Sequence, residues 1–392
     1  MNQYFADFHI HVGRNKYGKP VKITGSKNLT ITNILKEASN RKGIDIVGVI
    51  DCHAPSVLEE LTDAINEGSA YELEDGGIRY DNTTLFLGSE LEIYDDTCNG
   101  PIHVLVFFPN LHAMWAFSDW LKERMKNIEL SSQRYYGDAL SLQLKVKELE
   151  GLFIPAHIFT PFKSTFGKGV KKSLTEVFDP TLIDAVELGL SSDTYMADQI
   201  EELHQFPFLT NSDAHSLGKL AREYQLLEME APSFSEWKQV LQNENHRSIV
   251  SNYGMHPKLG KYYATVCKNC LHQSTISPCP KCGSTQFIKG VSDRIEELSS
   301  WNKHSSQPKR PPYIYQVPLE YIPGLGKKTF EKLLHYFKNE MNIIHYVPYD
   351  HLAKVVGEKI AHSIINIRNG IVSIEQGGGG KYGKWVENNE RK

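Results

Sequence analysis

The stretch Asp7-Phe8-His9-Ile10-His11 sets a carboxylate and two imidazoles at alternate positions, separated by apolar residues. On a strand, residues two apart share a face, so the spacing predicts that all three point one way while Phe8 and Ile10 point the other. Imidazole and carboxylate together are ligands for divalent metals. The same residue types recur at the ends of later apolar runs. Asp51 and His53 follow DIVGVI, Glu90 follows TLFLGS, His103 lies in IHVLVFF, His157 follows GLFIPA, and Asp213 and His215 close FPFLTNSDAH. One histidine at a strand end is usually a satisfied buried side chain; six segments that each supply a candidate ligand point to a shared site. The set is His9, His11, Asp51, His53, Glu90, His103, His157, Asp213 and His215. It is large enough for two or three divalent ions (Zn, Mn or Mg), with carboxylates such as Glu90 free to bridge.

A second constellation is Cys267-x-x-Cys270 followed by Cys279-x-x-Cys282. Two such knuckles can enclose one tetrahedral zinc with four thiolates, closed to water and therefore structural. A third is Ile322-Pro-Gly324-Leu-Gly326-Lys327-Lys328-Thr329 ahead of the helical run FEKLLHYF. Gly326 opens a helix whose free N–H groups can face a phosphate. A related stretch, with Gly357 and Lys359, precedes IAHSIINI, so 317–370 reads as a helical domain with two similar halves. The sequence Gly324-Leu-Gly326-Lys-Lys-Thr329 is not a Walker loop, because its first glycine stands too close to the second.

These residues need elements to position them. Residues 1–255 alternate short apolar runs with amphipathic stretches such as Thr32–Arg41, Leu111–Glu129 and Phe234–Asn243. That alternation predicts a parallel α/β architecture, a barrel, with chemistry at the C-terminal ends of its strands. A zinc module follows over 256–298, then a polar, proline-rich linker over 299–316, the helical domain over 317–370 and a glycine-rich basic tail over 371–392. Composition is that of an ordinary globular protein, 40% hydrophobic and 23% charged. No apolar run approaches a membrane span and no secretory leader is evident, so a cytoplasmic, reducing location is expected. Net charge is divided unevenly. Residues 251–392 carry 20 Lys and Arg against 11 Asp and Glu, while residues 1–250 carry 23 against 36. An acidic body that collects cations and a basic third that meets a polyanion fit that division.

The ordered set D-x-H-x-H, a histidine near residue 50, G-x-E, a strand histidine, A-H and S-D-A-H resembles the PHP (polymerase and histidinol phosphatase) superfamily of metal-dependent phosphoesterases. Many relatives carry a further ligand a few residues after D-x-H-x-H, where this chain has Asn15, Lys16 and Tyr17. Asp51 replaces it, or a third metal is weak or absent. Barrel, four-cysteine module and helix-hairpin-helix domain together resemble the endonuclease Q family, from Asp7 to about Gly370. That resemblance implies a distorted PHP-type (β/α) barrel and cutting of DNA on the 5′ side of uracil, hypoxanthine, xanthine and abasic sites, with water activated by metal. Asp213 and Glu90 are then the central catalytic residues, with Arg14 and Arg222 as candidate phosphate clamps. Gly324, Gly326, Lys327, Lys328, Gly357 and Lys359 would grip the duplex backbone. A base that is read must leave the stack, and Phe159, Phe162 and Phe166 are candidates to receive it. Damaged DNA is the expected partner, the nucleoid the expected place and a monomer the expected state; the sequence does not show a sliding-clamp contact. The rival readings are a histidinol-phosphatase-like phosphomonoesterase and a DNA-binding scaffold without activity.

Overall fold

The structure, a computed structural model, describes residues 1–299, 308–371, 373–375, 381 and 384–386. Much of the expected tail over 371–392, and residues 300–307 of the expected linker, lie outside them. The strand Asn2–Ile10 sits in the middle of the main sheet. It pairs in parallel with Ile46–Val49, which pairs in parallel with Thr83–Ile93. Beyond these the sheet turns antiparallel, through Ile102–Phe108 to Leu152–Pro155. On the other side Tyr224–Met229 and Ser248–Gly254 add antiparallel strands.

The sheet is therefore mixed where alternation predicts parallel pairing, and two of its strands, Tyr224–Met229 and Ser248–Gly254, were not anticipated. Only 94–101 separates Thr83–Ile93 from Ile102–Phe108, too short for the crossover that a parallel return needs. The reversal matters for the site. His103 begins its strand, yet it pairs with Glu92 near the end of the neighbouring one, so it reaches the same rim as the C-terminal ends. Leu152–Pro155 reverses again and delivers His157 there.

Below that rim the barrel is filled. Phe8, Phe86, Phe107 and Trp237 are fully buried, and Phe8 stacks on Trp237 with centroids 4.1 Å apart. Two outer helices start at side-chain caps. Asn110 accepts from the Ala113 N–H ahead of Leu111–Lys122, and Ser233 from Glu236 ahead of Phe234–Gln242. Each cap satisfies an otherwise unpaired helix N–H. No helix among the described residues is long and apolar enough to cross a membrane.

Part of the expected linker belongs to the barrel. Tyr313–Tyr315 pairs in parallel with Ser248–Gly254, and Arg310 pairs with Asp198 at 2.9 Å while stacking on Phe208. The C-terminal helices Lys327–Phe337, Tyr349–Val356 and Glu358–Arg368 dock on the barrel wall. There Lys42 meets Glu340 at 2.8 Å, both buried, and His345 stacks on Phe5. On another side, the Arg294 guanidinium of Val291–Leu298 donates to the carbonyls of Phe166, Val170 and Lys171, fastening the cysteine module.

Candidate metal centre and nucleic-acid interface

Seven of the predicted ligands crowd the rim within a few ångströms. His9 Nε2 lies 3.5 Å from Glu90 Oε1 and 3.4 Å from Asp213 Oδ1. His11 Nε2 lies 3.7 Å from Glu90 Oε2 and 3.5 Å from Asp213 Oδ1. His103 Nδ1 and His157 Nε2 approach Glu90 Oε1 at 2.9 and 3.4 Å, and His215 Nδ1 approaches Asp213 at 3.4 Å. The atoms fall into three overlapping groups: His9, His11 and Glu90; Glu90, His103 and His157; His11, Asp213 and His215.

Metal ligation explains an otherwise costly arrangement. His9 Nε2, His11 Nε2 and both ring nitrogens of His103 are buried with no hydrogen-bond partner. Buried polar atoms are normally paired. His103 Nδ1, although close to Glu90, is not aligned with it for a hydrogen bond. Burial pushes Glu90 up, but the imidazole of His103 and the ammonium of Lys22 outweigh it and hold the carboxyl well below its ordinary value. Burial likewise raises Asp213, and His9 and His11 more than reverse it. Burial and the neighbouring His11 pull His215 down to about 4, leaving a neutral imidazole. Burial pushes His9 down, but Glu187, Asp213 and Glu90 outweigh it and raise the imidazole well above its ordinary value, so these carboxylates hold at His9 a positive charge that a divalent cation would replace. His157 (φ 30°) and Asp213 (φ 47°) also hold left-handed backbone, a sparsely populated conformation for residues with a side chain. Gly189 supports the first, since a Cβ there would stand 2.9 Å from the His157 Cβ.

The ring behind the ligands corrects several expectations. Asp51 is not in the cluster: its Oδ2 accepts from the Val12 N–H at 2.7 Å and lies 3.1 Å from His11 Nδ1. It orients His11, and that imidazole overcomes the effect of burial to hold Asp51 at about 2. His53 is also outside, with Nδ1 at 2.7 Å from Ser89 Oγ and Nε2 at 3.3 Å from the Leu130 carbonyl. Asp7 does not share the face of His9 and His11. A register shift between Asp7 and Ile10 breaks the alternation, and Asp7 accepts from the Ser212 and Ala221 N–H groups. Glu187, not singled out from the sequence, backs His9 Nδ1 at 2.9 Å and accepts from the His157 N–H at 2.8 Å. A carboxylate closing the run AVEL was the available signal. Lys22 was also missed; its Nζ sits 3.3 Å from Glu90 Oε2 and 2.6 Å from Ser132 Oγ.

A cavity of about 490 Å³ opens beside the cluster, lined in part by His157, Asp213, His215 and Arg222. Arg222 is nearly buried and donates to the Ser212 and Asp213 carbonyls, so it props the loop that carries Asp213. Arg14 is not among the lining residues. Of the three phenylalanines, Phe159 and Phe166 are core, stacked at 5.5 Å, whereas Phe162 lines the cavity against Tyr262. Lys261 and Tyr262, at the approach to the cysteine module, complete the wall.

The four cysteines converge as the spacing implies, with Cys267 Sγ 3.5 Å from Cys282 Sγ and Cys270 Sγ 3.7 Å from Cys279 Sγ. The Cys270 N–H draws the Cys267 thiol down to about 6, towards the thiolate that zinc binds. In the C-terminal region, Gly324 (φ 85°) and Gly357 (φ 82°) take left-handed turns ahead of Lys327–Phe337 and Glu358–Arg368. A Cβ on Gly324, Gly326 or Gly357 would meet nothing within 4 Å, so the backbone there is open to approach. Lys327, Lys328 and Lys359 stand exposed on the first turns of those helices. The segment leading into the first turn reaches the cavity wall, where the cavity residue Lys219 meets Glu320 at 2.5 Å.

A mixed α/β barrel with clustered ligands at one rim, a four-cysteine module and a helical C-terminal region define a metal-dependent hydrolase of the nuclease class. No protein-family model matches the chain. It is 53% identical to the uncharacterized protein YqxK of Bacillus subtilis, over 98% of this chain and 99% of that one. Its fold superposes on the lesion-specific endonuclease PfuEndoQ of Pyrococcus furiosus with TM-score 0.85 and 32% identity, covering 99% of this chain and 96% of that one. An endonuclease Q complex with a 27-mer duplex bearing an abasic lesion at its active site matches with TM-score 0.84 and 32% identity, over 99% and 98% of the two chains. The chain belongs to the endonuclease Q family.

Proposed function

We propose that this protein is a DNA repair endonuclease that hydrolyses the phosphodiester bond 5′ of deaminated bases (uracil, hypoxanthine, xanthine) and of abasic sites. The observation that carries the reading is the make-up of the cavity beside the ligand cluster. Barrel residues form most of its wall, Lys261 and Tyr262 enter from the approach to the cysteine module, and Lys219 pairs with Glu320 on the segment that leads to Gly324. A small phosphomonoester needs none of these additions; a duplex laid across the rim engages all of them.

His9, His11, Glu90, His103, His157, Asp213 and His215 would hold two or three divalent ions, with Glu90 and His11 each shared between groups. Such ions lower the pKa of water and neutralise charge that develops on the phosphate. The surrounding side chains keep this constellation in place. Glu187 and Asp51 fix the rings of His9 and His11, and Arg222 fixes the Asp213 loop. Lys219 and Lys261 bring positive charge to the wall. Phe162 and Tyr262 offer aromatic surface for an extruded base. The open glycine turns with Lys327, Lys328 and Lys359 would hold backbone phosphates without reading sequence. A related endonuclease Q seen with an abasic-lesion duplex at its active site supports the substrate class. Orphaned, converging ligands stand against a scaffold without activity.

The test is an end-labelled duplex carrying a single uracil, hypoxanthine, xanthine or abasic site. The account expects one nick 5′ of the lesion, leaving a 3′-hydroxyl and a 5′-phosphate, and no cutting of undamaged duplex. Phosphate release from a small phosphomonoester without any nick would establish the rival enzyme.

A further inference from the structure

We propose that Ile23 is an apolar wedge that enters the base stack of the bound duplex and holds open the gap left by the extruded nucleotide. The inference rests on the lesion-nuclease reading above.

Ile23 is 71% exposed, although the residues on either side of it are engaged in the site. Lys22 lies 3.3 Å from Glu90, a shared candidate ligand, and Thr24 lines the cavity. The loop that carries the three is tethered at several points. The Val21 N–H donates to the Gly13 carbonyl at 3.1 Å and the Lys22 N–H to the Val12 carbonyl at 2.8 Å. The Ser26 N–H donates to the His215 carbonyl at 2.8 Å. Gly13 lets the two loop arms pack closely, since a Cβ there would stand 2.0 Å from the Ser26 carbonyl oxygen. These tethers run to Val12 and Gly13, directly after His11, and to His215 itself. Ile23 is thereby held at a set position beside the cavity-lining Thr24, on a loop fixed to the ligand cluster.

Single exposed apolar residues are common and by themselves mean little. This one stands on a braced turn between Lys22, which reaches the candidate ligand Glu90, and Thr24, which lines the cavity, flanked by the exposed cations Lys19 and Lys27. Extruding a nucleotide costs stacking energy and leaves a hole in the duplex. Apolar side chains inserted between base steps fill such holes in other DNA-bending proteins. A branched aliphatic side chain on a braced loop, with lysines to meet the flanking phosphates, has the chemistry for that task.

The experiment compares Ile23→Ala and Ile23→Leu with the natural protein on two versions of one duplex. In one the lesion is paired; in the other it sits in an unpaired bubble, where no stack has to be opened. The expected result is a loss of roughly tenfold or more in kcat/KM for Ile23→Ala on the paired lesion, and less than about twofold on the bubble. Ile23→Leu should keep most of the activity on both. In an Asp213→Asn background, 2-aminopurine beside the paired lesion should brighten on binding, and adding Ile23→Ala should remove that rise. An equal loss on both substrates, no loss on the paired one, or an unchanged fluorescence rise would overturn the proposal. Failure of the natural protein to nick either substrate would overturn the nuclease reading, and the wedge with it.

Discussion

The chain assembles two candidate metal sites in opposite ways. The rim gathers ligands from His9 to His215, each on or just beyond a buried strand, with carboxylates and hydroxyls already behind them. The cysteine cluster gathers its four ligands between Cys267 and Cys282, from turns and the two-residue strand Val266–Cys267, which pairs with Phe287–Ile288. The rim is shaped by a hydrophobic core that stands without a cation, and it opens onto a cavity. In the module, the convergence of four thiolates takes the place of a core. The same element in the two places would therefore do different work: chemistry at the rim, folding in the module.

The sharpest way to break this contrast is to remove one rim carboxylate. Asp213→Asn should lower nicking by roughly three orders of magnitude or more, because a charge on the ions' coordination is lost. Its thermal melt should stay within a few degrees of the natural protein, which calorimetry can check. Cys279→Ser should do the reverse in emphasis. One zinc should be lost by elemental analysis and protease sensitivity should appear within 262–290. Nicking should fall by roughly ten- to a hundredfold, because Lys261 and Tyr262 lose their anchorage. Glu187→Gln probes the ring behind the rim. It removes the charge that backs His9, so metal affinity measured by titration calorimetry should fall by about ten- to a hundredfold while the fold persists.

The smallest effect concerns the scaffold of the Asp213 loop. Glu223, fully buried next to Arg222, is pushed by burial from its ordinary 4.5 up to about 8. Its folded pKa lies above the unfolded one, so between those values the folded chain binds more protons and stability falls as pH rises. Glu223→Gln removes this dependence. Urea melts between pH 5 and 8 should show the natural protein losing stability relative to the variant by up to roughly 1 kcal/mol per pH unit. A constant difference across that range would contradict the assignment.

Much of the rim was legible because its ligands close apolar runs: the strands holding His9, Glu90 and His103 and the ends before His157 and Asp213 fall where the patterns put them. What stayed hidden has physical causes. Spacing cannot distinguish a ligand from the carboxylate that orients it, so Asp51 and His53 looked equivalent to His11. A register shift of one residue undoes an alternation argument, which removed Asp7 from the face of its neighbours. Lys22 and Glu187 belong to no pattern, and only the fold brings them to the ligands. Aromatic residues close in sequence to His157 divided between core and cavity, and Tyr262 reached the cavity from a different module. The two unforeseen strands, Tyr224–Met229 and Ser248–Gly254, lack the uninterrupted apolar runs that marked the others.

The most direct measurement is metal add-back on a lesion duplex. Protein stripped with a chelator strong enough to empty the rim should keep its barrel fold by circular dichroism and cut nothing. Added Mg²⁺ or Mn²⁺ should restore a single nick 5′ of the abasic site. Undiminished cutting by the stripped protein, or a barrel that unfolds when the ions leave, would contradict a preformed rim that binds cations for catalysis.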